Sequence, residues 1–253
     1  MMDAIARFPR GMNAVRAGMG GSTDPASAMR GRFSLVFETS TPRASLAAVE
    51  VDGHVRVREF TSDRSHNAEL FPPLQELLEG REAGEIGLVL VGSGPGSYSG
   101  TRVGIAAAQG VAIGAGCPAV ALPSLLAVAS ARDGAACLAI GDARRGSFWT
   151  SEVAACRLRT EPSLSDAAGL ERLVSQALDA GTPVFSFESP GRFPLPATLA
   201  AEVRVEYPNA ALLWLAWEHT NAADRERWTA SRPQPMYLKP PHITPAKHAA
   251  ARP

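Results

Sequence analysis

No apolar run in this chain of 253 residues approaches the roughly 18 that a bilayer-spanning helix needs, so a helical membrane anchor is not expected. Cysteine is scarce: Cys117, Cys137 and Cys156 are odd in number and form no Cys-x-x-Cys pair. That excludes a disulfide scaffold and a cysteine zinc site, and it fits a reducing, cytoplasmic setting. Net charge is absent as well, since 25 Lys and Arg balance 25 Asp and Glu. No long-range field draws nucleic acid to the whole surface, so an RNA partner needs a local basic patch or another subunit. The five histidines contain no His-x-x-x-His, which removes the commonest helical metal site. Residues 1–31 have no apolar h-region and make a poor secretory leader. Their Arg-rich, acid-poor character allows a transit peptide; the plainer reading is a disordered extension, or a start codon placed too early, before Met29.

What is present is an order of elements that occurs twice. "RFSLVFETST" reads as an apolar strand ending in hydroxyls, and "ASLAAVEVDGHVRVREF" as two strands around the hairpin dipeptide Asp52-Gly53. "SHNAELFPPLQELLEG" places Leu70, Phe71, Leu74, Leu77 and Leu78 on one helical stripe, closed by Gly80. Pro72-Pro73 predicts a kink or a helix start at that point, because each proline lacks a donor and clashes one turn back. The strand "IGLVLVG", a glycine loop and a small-residue helix over Val103–Gly114 follow. After a break near 131–136, "ACLAIGDARRGSFWTSEVAACRLRT" gives strands around a turn at Arg144–Gly146. A helix with Ser165 as cap and Gly181 as stop comes next, then the strand "PVFSFE" and the late helix "NAALLWLAWEHT". This order predicts two α/β lobes, each a mixed sheet covered by helices, over residues 32–131 and 132–231. The Pro-rich tail, 232–253, is expected to run extended over the surface.

The densest stretch is "VGSGPGSYSGTRVG", Val91 to Gly104. It is not a P-loop, because Gly100 is followed by Thr101 and Arg102 and no lysine is available for the outer phosphates. Nor is it a dinucleotide fingerprint: Gly100 comes one residue too late after Gly94-Pro95-Gly96, and no acid lies between Gly96 and Asp133. "GSYSG" puts Tyr98 where a nucleophile elbow needs serine. Two readings remain. Either the glycines let a strand turn sharply into a close-packed helix, or the helix N-terminus receives an anion.

Other candidates are fewer. Glu38 and Asp142 each end the first strand of a lobe, where α/β sheets hold ligands; they either face a cleft together or cap the turns that follow. His66 and Glu69 share a helix face, with His66 read as a helix-start residue. Arg144-Arg145 reads as a solvated hairpin tip.

"ETST", "SHNAELFPPLQELL", "GSGPGSYSGTRVGIAAAQGVAIG", "ALPSLLAVA", "GDARRGSFW" and "PMYLKPP" together resemble the TsaB family, over about Phe33 to Pro241. These are accessory subunits of bacterial tRNA threonylcarbamoyladenosine synthesis. The resemblance implies a duplicated, two-lobed actin-like/Hsp70-like ATPase (ASKHA) fold. It implies a noncatalytic scaffold for TsaD, which transfers the threonylcarbamoyl group to an adenosine beside the anticodon, with TsaE supplying ATPase activity in a larger complex. No metal and no cofactor are implied beyond a vestigial nucleotide site, and tRNA is met only through the complex. The family usually has Asp where Glu38 stands; the extra methylene carries the carboxylate about 1.5 Å farther out.

The resemblance also implies pairing with TsaD, or with a second copy of the chain when TsaD is absent, through the first two helices. The partner-interface residues expected there are Leu70, Leu74, Leu77, Gly104, Ala107, Ala108, Val111 and Ala115. A small-residue helix has more apolar sides than its own sheet covers, and a second helical pair could complete a four-helix contact. The competing reading is an active enzyme of the same fold, a phosphotransferase or a metallopeptidase. The first would rest on Glu38 and Asp142; for the second no metal site or nucleophile–base pair can be named.

Overall fold

The structure, a computed structural model, describes residues 32–62, 66–132 and 134–238. The side chains of His66 and Asn67 also lie outside the described residues, as do the expectations for residues 1–31 and 239–253.

The first sheet has the order β3-β2-β1-β4-β5. Its strands are β1 (Phe33–Glu38), β2 (Arg43–Val49), β3 (Val55–Thr61), β4 (Ile86–Gly92) and β5 (Ala119–Leu122). The hairpin strands β2 and β3 run antiparallel to their neighbours, while β4 and β5 run parallel. Side chains on a strand alternate between faces. Phe33, Leu35 and Phe37 of β1 therefore join one core and Val36 the other, with Val89 and Val91 against Leu88 and Leu90 on β4.

The first face is covered by α1 (His66–Leu78) and α2 (Tyr98–Ala115). Leu70, Leu74 and Leu77 enter that core at 1%, 6% and 0% exposure, worth about 2 kcal/mol each in burial. Pro72 and Pro73 neither start nor end α1, which runs through both. Proline at these positions removes donors to the carbonyls one turn back, at Ala68 and Glu69. Both of those residues are exposed, where water replaces the missing partner. The second helix begins at Tyr98, five residues before the expected start, because Ser97 caps it by accepting from the Gly100 amide at 3.2 Å.

The second sheet has the order β11-β10-β6-β7-β8, with β9 pairing β7. Its strands are β6 (Cys137–Asp142), β7 (Phe148–Ala154), β8 (Arg157–Leu158), β9 (Ser163–Ser165), β10 (Val184–Ser186) and β11 (Val203–Val205). It carries α3 (Ala167–Asp179) and α4 (Ala197–Glu202). The cap of α3 is Asp166 rather than Ser165; its carboxylate accepts from the Gly169 amide at 2.8 Å.

The late helix corrects the expected division at 132–231. Helix α5 (Ala210–His219) leaves the second lobe and lies on the open face of the first sheet, with α6 (Ala222–Ala230) beside β5. Ala210, Leu213, Trp214 and Trp217 share a core with Val36, Ala47, Leu88 and Leu90, and the Ala210 amide donates to Ser45 Oγ at 2.9 Å. Ala216, on another side of α5, packs in the cluster that joins Leu125 and Leu126 to Trp149 and Phe185 of the second lobe. A helix apolar all round is covered all round, and α5 is the wedge between the lobes.

Candidate functional site

Three turns meet where β1 and β4 end. The first, Glu38–Thr41, is buried throughout. Its serine amide donates to Glu38 Oε1 at 2.8 Å, while Glu38 Oε2 and Ser40 Oγ are buried with no hydrogen-bond partner. Burial pushes the Glu38 carboxyl above its ordinary range, and the hydrogen bond from the Ser40 amide only partly offsets this. The second turn is the glycine loop, with a cis Gly94–Pro95 peptide, and the third begins at Ser124. Ser124 Oγ accepts from the Gly94 amide at 3.0 Å, and the Ser124 amide donates to the Gly94 carbonyl at 2.9 Å.

The glycines are explained by this meeting. In the register of β1 and β4, Gly92 comes next to Glu38 on the same face. A Cβ on Gly92 would stand 2.6 Å from both the Glu38 carboxyl carbon and Ser124 Oγ. A Cβ on Gly96 would stand 2.9 Å from the Ser40 carbonyl carbon and closer still to its oxygen. That oxygen accepts from the Ser97 amide at 2.6 Å. On α2, Gly104 leaves room for Thr39, whose hydroxyl donates to the Gly100 carbonyl at 2.8 Å. What approaches this loop is the chain's own first turn.

Between the lobes lies a cavity of about 870 Å³. Ser40, Thr41, Gly96 and Tyr98 line it from the first lobe, and Asp142, Arg144, Trp149, Phe187, Glu188 and Arg192 from the second. Glu38 does not line it, so the two strand-end acids are not brought together. Asp142 caps its own hairpin: Oδ1 accepts from the Arg144 amide at 2.7 Å and Oδ2 lies 3.3 Å from the Arg144 guanidinium. Arg144 and Arg145 take left-handed φ of 67° and 61° in this turn, which the Ala143 amide closes onto the Ser147 carbonyl at 2.9 Å. The glycines that would admit a nucleotide's phosphates are filled by Thr39 and Ser40, and the acid that would face its metal is sealed below. The residues present do not fit that group.

Among the described residues no group of three or more His, Cys, Asp and Glu is placed to hold a metal ion. The Cys137 thiol is pushed up to about 12, chiefly by burial, so it is a core residue and a poor nucleophile. No helix among the described residues is long and apolar enough to cross a membrane.

The expected interface residues are divided. Leu70, Leu74, Leu77, Gly104 and Ala108 are buried within the first lobe, where they build its core. They are unavailable to a partner while the lobe stays folded. Ala107, Val111 and Ala115 are half-buried and pack against the same core. The outward side of the pair carries Phe71, Ala106, Gly110, Ile113 and Gly114, with Ile113 at 82% and Phe71 at 53% exposure. The outward side of α2 lies nearly opposite the expected face, since Gly104 faces Thr39 and Ala108 enters the core. No local motif marks Ser124, Glu188 or Tyr237 in the sequence. Each acts across 30 residues or more, where local pattern carries no signal.

Residues 59–197 match the family of TsaD, tRNA N6-adenosine threonylcarbamoyltransferase. The chain is 34% identical over 124 residues to the tRNA threonylcarbamoyladenosine biosynthesis protein TsaB of Escherichia coli, covering 47% of this chain and 53% of that protein. It is 30% identical over 133 residues to TsaB of Haemophilus influenzae, covering 50% and 56%. The matched region thus spans about half the length of these curated relatives. Two solved structures from Pseudomonas aeruginosa share the fold. One is described as YeaZ (TM-score 0.60, 24% identity) and one as similar to peptidase YeaZ (TM-score 0.62, 23% identity). Each covers 82% of this chain and is itself covered in full. The two mixed sheets clothed in helices are the actin-like, ASKHA-type architecture.

Proposed function

The chain belongs to the TsaD family of tRNA N6-adenosine threonylcarbamoyltransferase, its curated relatives carry the name TsaB, and from that membership we propose that it is a noncatalytic partner subunit in tRNA threonylcarbamoyladenosine formation. It works in the cytoplasm and docks on TsaD through the outward face of α1 and α2. TsaE joins the larger complex, and tRNA is met through TsaD. Without TsaD, a second copy of the chain takes the same face.

One observation carries this reading. Ile113 stands 82% exposed on a helix whose opposite side is core, with Gly110 and Gly114 flush beside it and Phe71 exposed on α1. An isoleucine flanked by glycines offers a knob and two holes, the complement of another helix surface. The inward chemistry supports the same conclusion, since the glycine loop is filled by Thr39 and Ser40. The fold keeps the loop as packing, not as a cradle for a substrate.

The test is Ile113→Arg. A buried unpaired charge should abolish the complex with TsaD in size-exclusion with light scattering. The isolated chain should keep its stability within about 0.5 kcal/mol, as an exposed substitution does. A complex that survives the arginine places the interface elsewhere. Modification of tRNA by the chain without TsaD would overturn the noncatalytic reading itself.

A further inference from the structure

The residues after α6, Arg232–Leu238, run along α2 without regular secondary structure. Gln109 donates from its side-chain amide to the Pro233 carbonyl at 3.2 Å, and the Met236 amide donates to the Ser93 carbonyl in the glycine loop at 2.8 Å. Arg102 donates to the Tyr237 hydroxyl, at 3.2 Å from Nε and 2.7 Å from a terminal nitrogen. The same guanidinium lies 3.9 Å over the Tyr98 ring, and the two tyrosine rings are 6.4 Å apart. One residue later the chain changes sides. Leu238 lines the inter-lobe cavity and packs on the cluster that holds Trp149, Phe185 and Phe187 of the second lobe.

We propose that residues 232–238 are a strap that closes the inter-lobe cavity, clasped to the first lobe by Tyr237 and pressed into the second through Leu238. Pro233 and Pro235 restrict the segment before it docks, so less conformational freedom is lost on closing. Its clasp is built from surface contacts: Tyr98 is 63% and Tyr237 53% exposed. Contacts of this kind open locally while the core stays folded. Leu238 is the opposite kind of contact, an apolar side chain half-buried between two lobes. Lifting Tyr237 therefore uncovers the aromatic floor made by Trp149 and Phe187. The aromatic floor of the cavity is fully reached in the lifted state, and the strap sets how often that state is visited.

Amide hydrogen exchange on the full chain tests this, comparing the native protein with the double variant Tyr237→Ala, Leu238→Ser. A second variant ends at Ser231. Exchange at the second-lobe lips, 141–147 and 186–192, should rise at least about threefold in both variants, the mark of a local opening. Anilinonaphthalene sulfonate, an apolar dye with one anionic group, should gain fluorescence in both. Protection of β1 and β4 should not change. Lips that exchange as in the native protein overturn the strap. So does a matching loss of protection in β1 and β4, which would make the segment part of the core.

Discussion

The two lobes share a strand plan and differ in what they do at its centre. In each, the first strand pairs antiparallel with a hairpin partner on one side and parallel with a later strand on the other, so β3-β2-β1-β4-β5 corresponds to β8-β7-β6-β10-β11. In the first lobe the turn after the central strand is buried, and glycines from the neighbouring strand's exit press against it. In the second lobe the equivalent turn is open to the cavity, and its contact is a carboxylate: Glu188 accepts from the Asp142 amide at 2.7 Å. The first exit continues into an 18-residue helix, the second into a single turn of 3-10 helix, Pro190–Arg192. Backbone held against backbone makes a rigid joint, whereas one hydrogen bond to a side chain leaves a lip. The first lobe is built to present a helix face, and the second to border a cavity.

Substitutions can break or sharpen this contrast. Gly96→Val should have the largest effect, since a side chain there collides with the Ser40 backbone. It should cost more than about 3 kcal/mol in urea denaturation, because neither backbone can yield without moving α2 or β1. Gly141→Ala comes next. A methyl there overlaps the Trp149 indole, a side chain that can shift into the cavity, so about 2 kcal/mol with a change in tryptophan fluorescence is expected. Glu38→Gln has a smaller effect that depends on pH. The folded protein holds the Glu38 proton to a higher pH than the unfolded chain, whose ordinary value is near 4.5. The stability this contributes is fully present below about 4.5 and is lost as pH rises through the raised folded value. The glutamine variant should be less sensitive to rising pH across that window, and parallel stability–pH curves for the two proteins would refute the upward shift at Glu38. Gly191→Ala should do least, within about 0.5 kcal/mol, since nothing lies within 4 Å of the added methyl. Equal costs at Gly96 and Gly191 would erase the distinction between joint and lip.

Much of the fold was legible because it is local. The alternation in "RFSLVFE", the Asp52-Gly53 hairpin and the leucine stripe of α1 each state a face and a period, and β4 follows "IGLVLVG" residue for residue. What was not legible is what each face meets. "NAALLWLAWEHT" announces a helix apolar on every side, but the sequence does not say that its tryptophans belong to a sheet completed almost a hundred residues earlier. The site divides in the same way. The glycines of the loop were visible, but their neighbour, the Glu38–Thr41 turn, lies more than 50 residues away. Apolar and small residues mark core and surface alike: Leu70 and Ala108 belong to the core and Ile113 to the surface.

The return of α5 to the first sheet has a consequence for synthesis. The chain leaves that sheet at Leu122 and comes back at Ala210, so the second lobe is threaded through the first as an insertion. While the ribosome is still making residues 123–209, one face of the sheet has no cover, and Val36, Ala47, Leu88 and Leu90 wait for a helix not yet translated. At the ordinary pace of roughly 5–20 residues per second, that wait lasts several seconds. Nascent chains stalled before residue 210 should therefore bind chaperones through an apolar sheet, and chains stalled well after Ala230 should not.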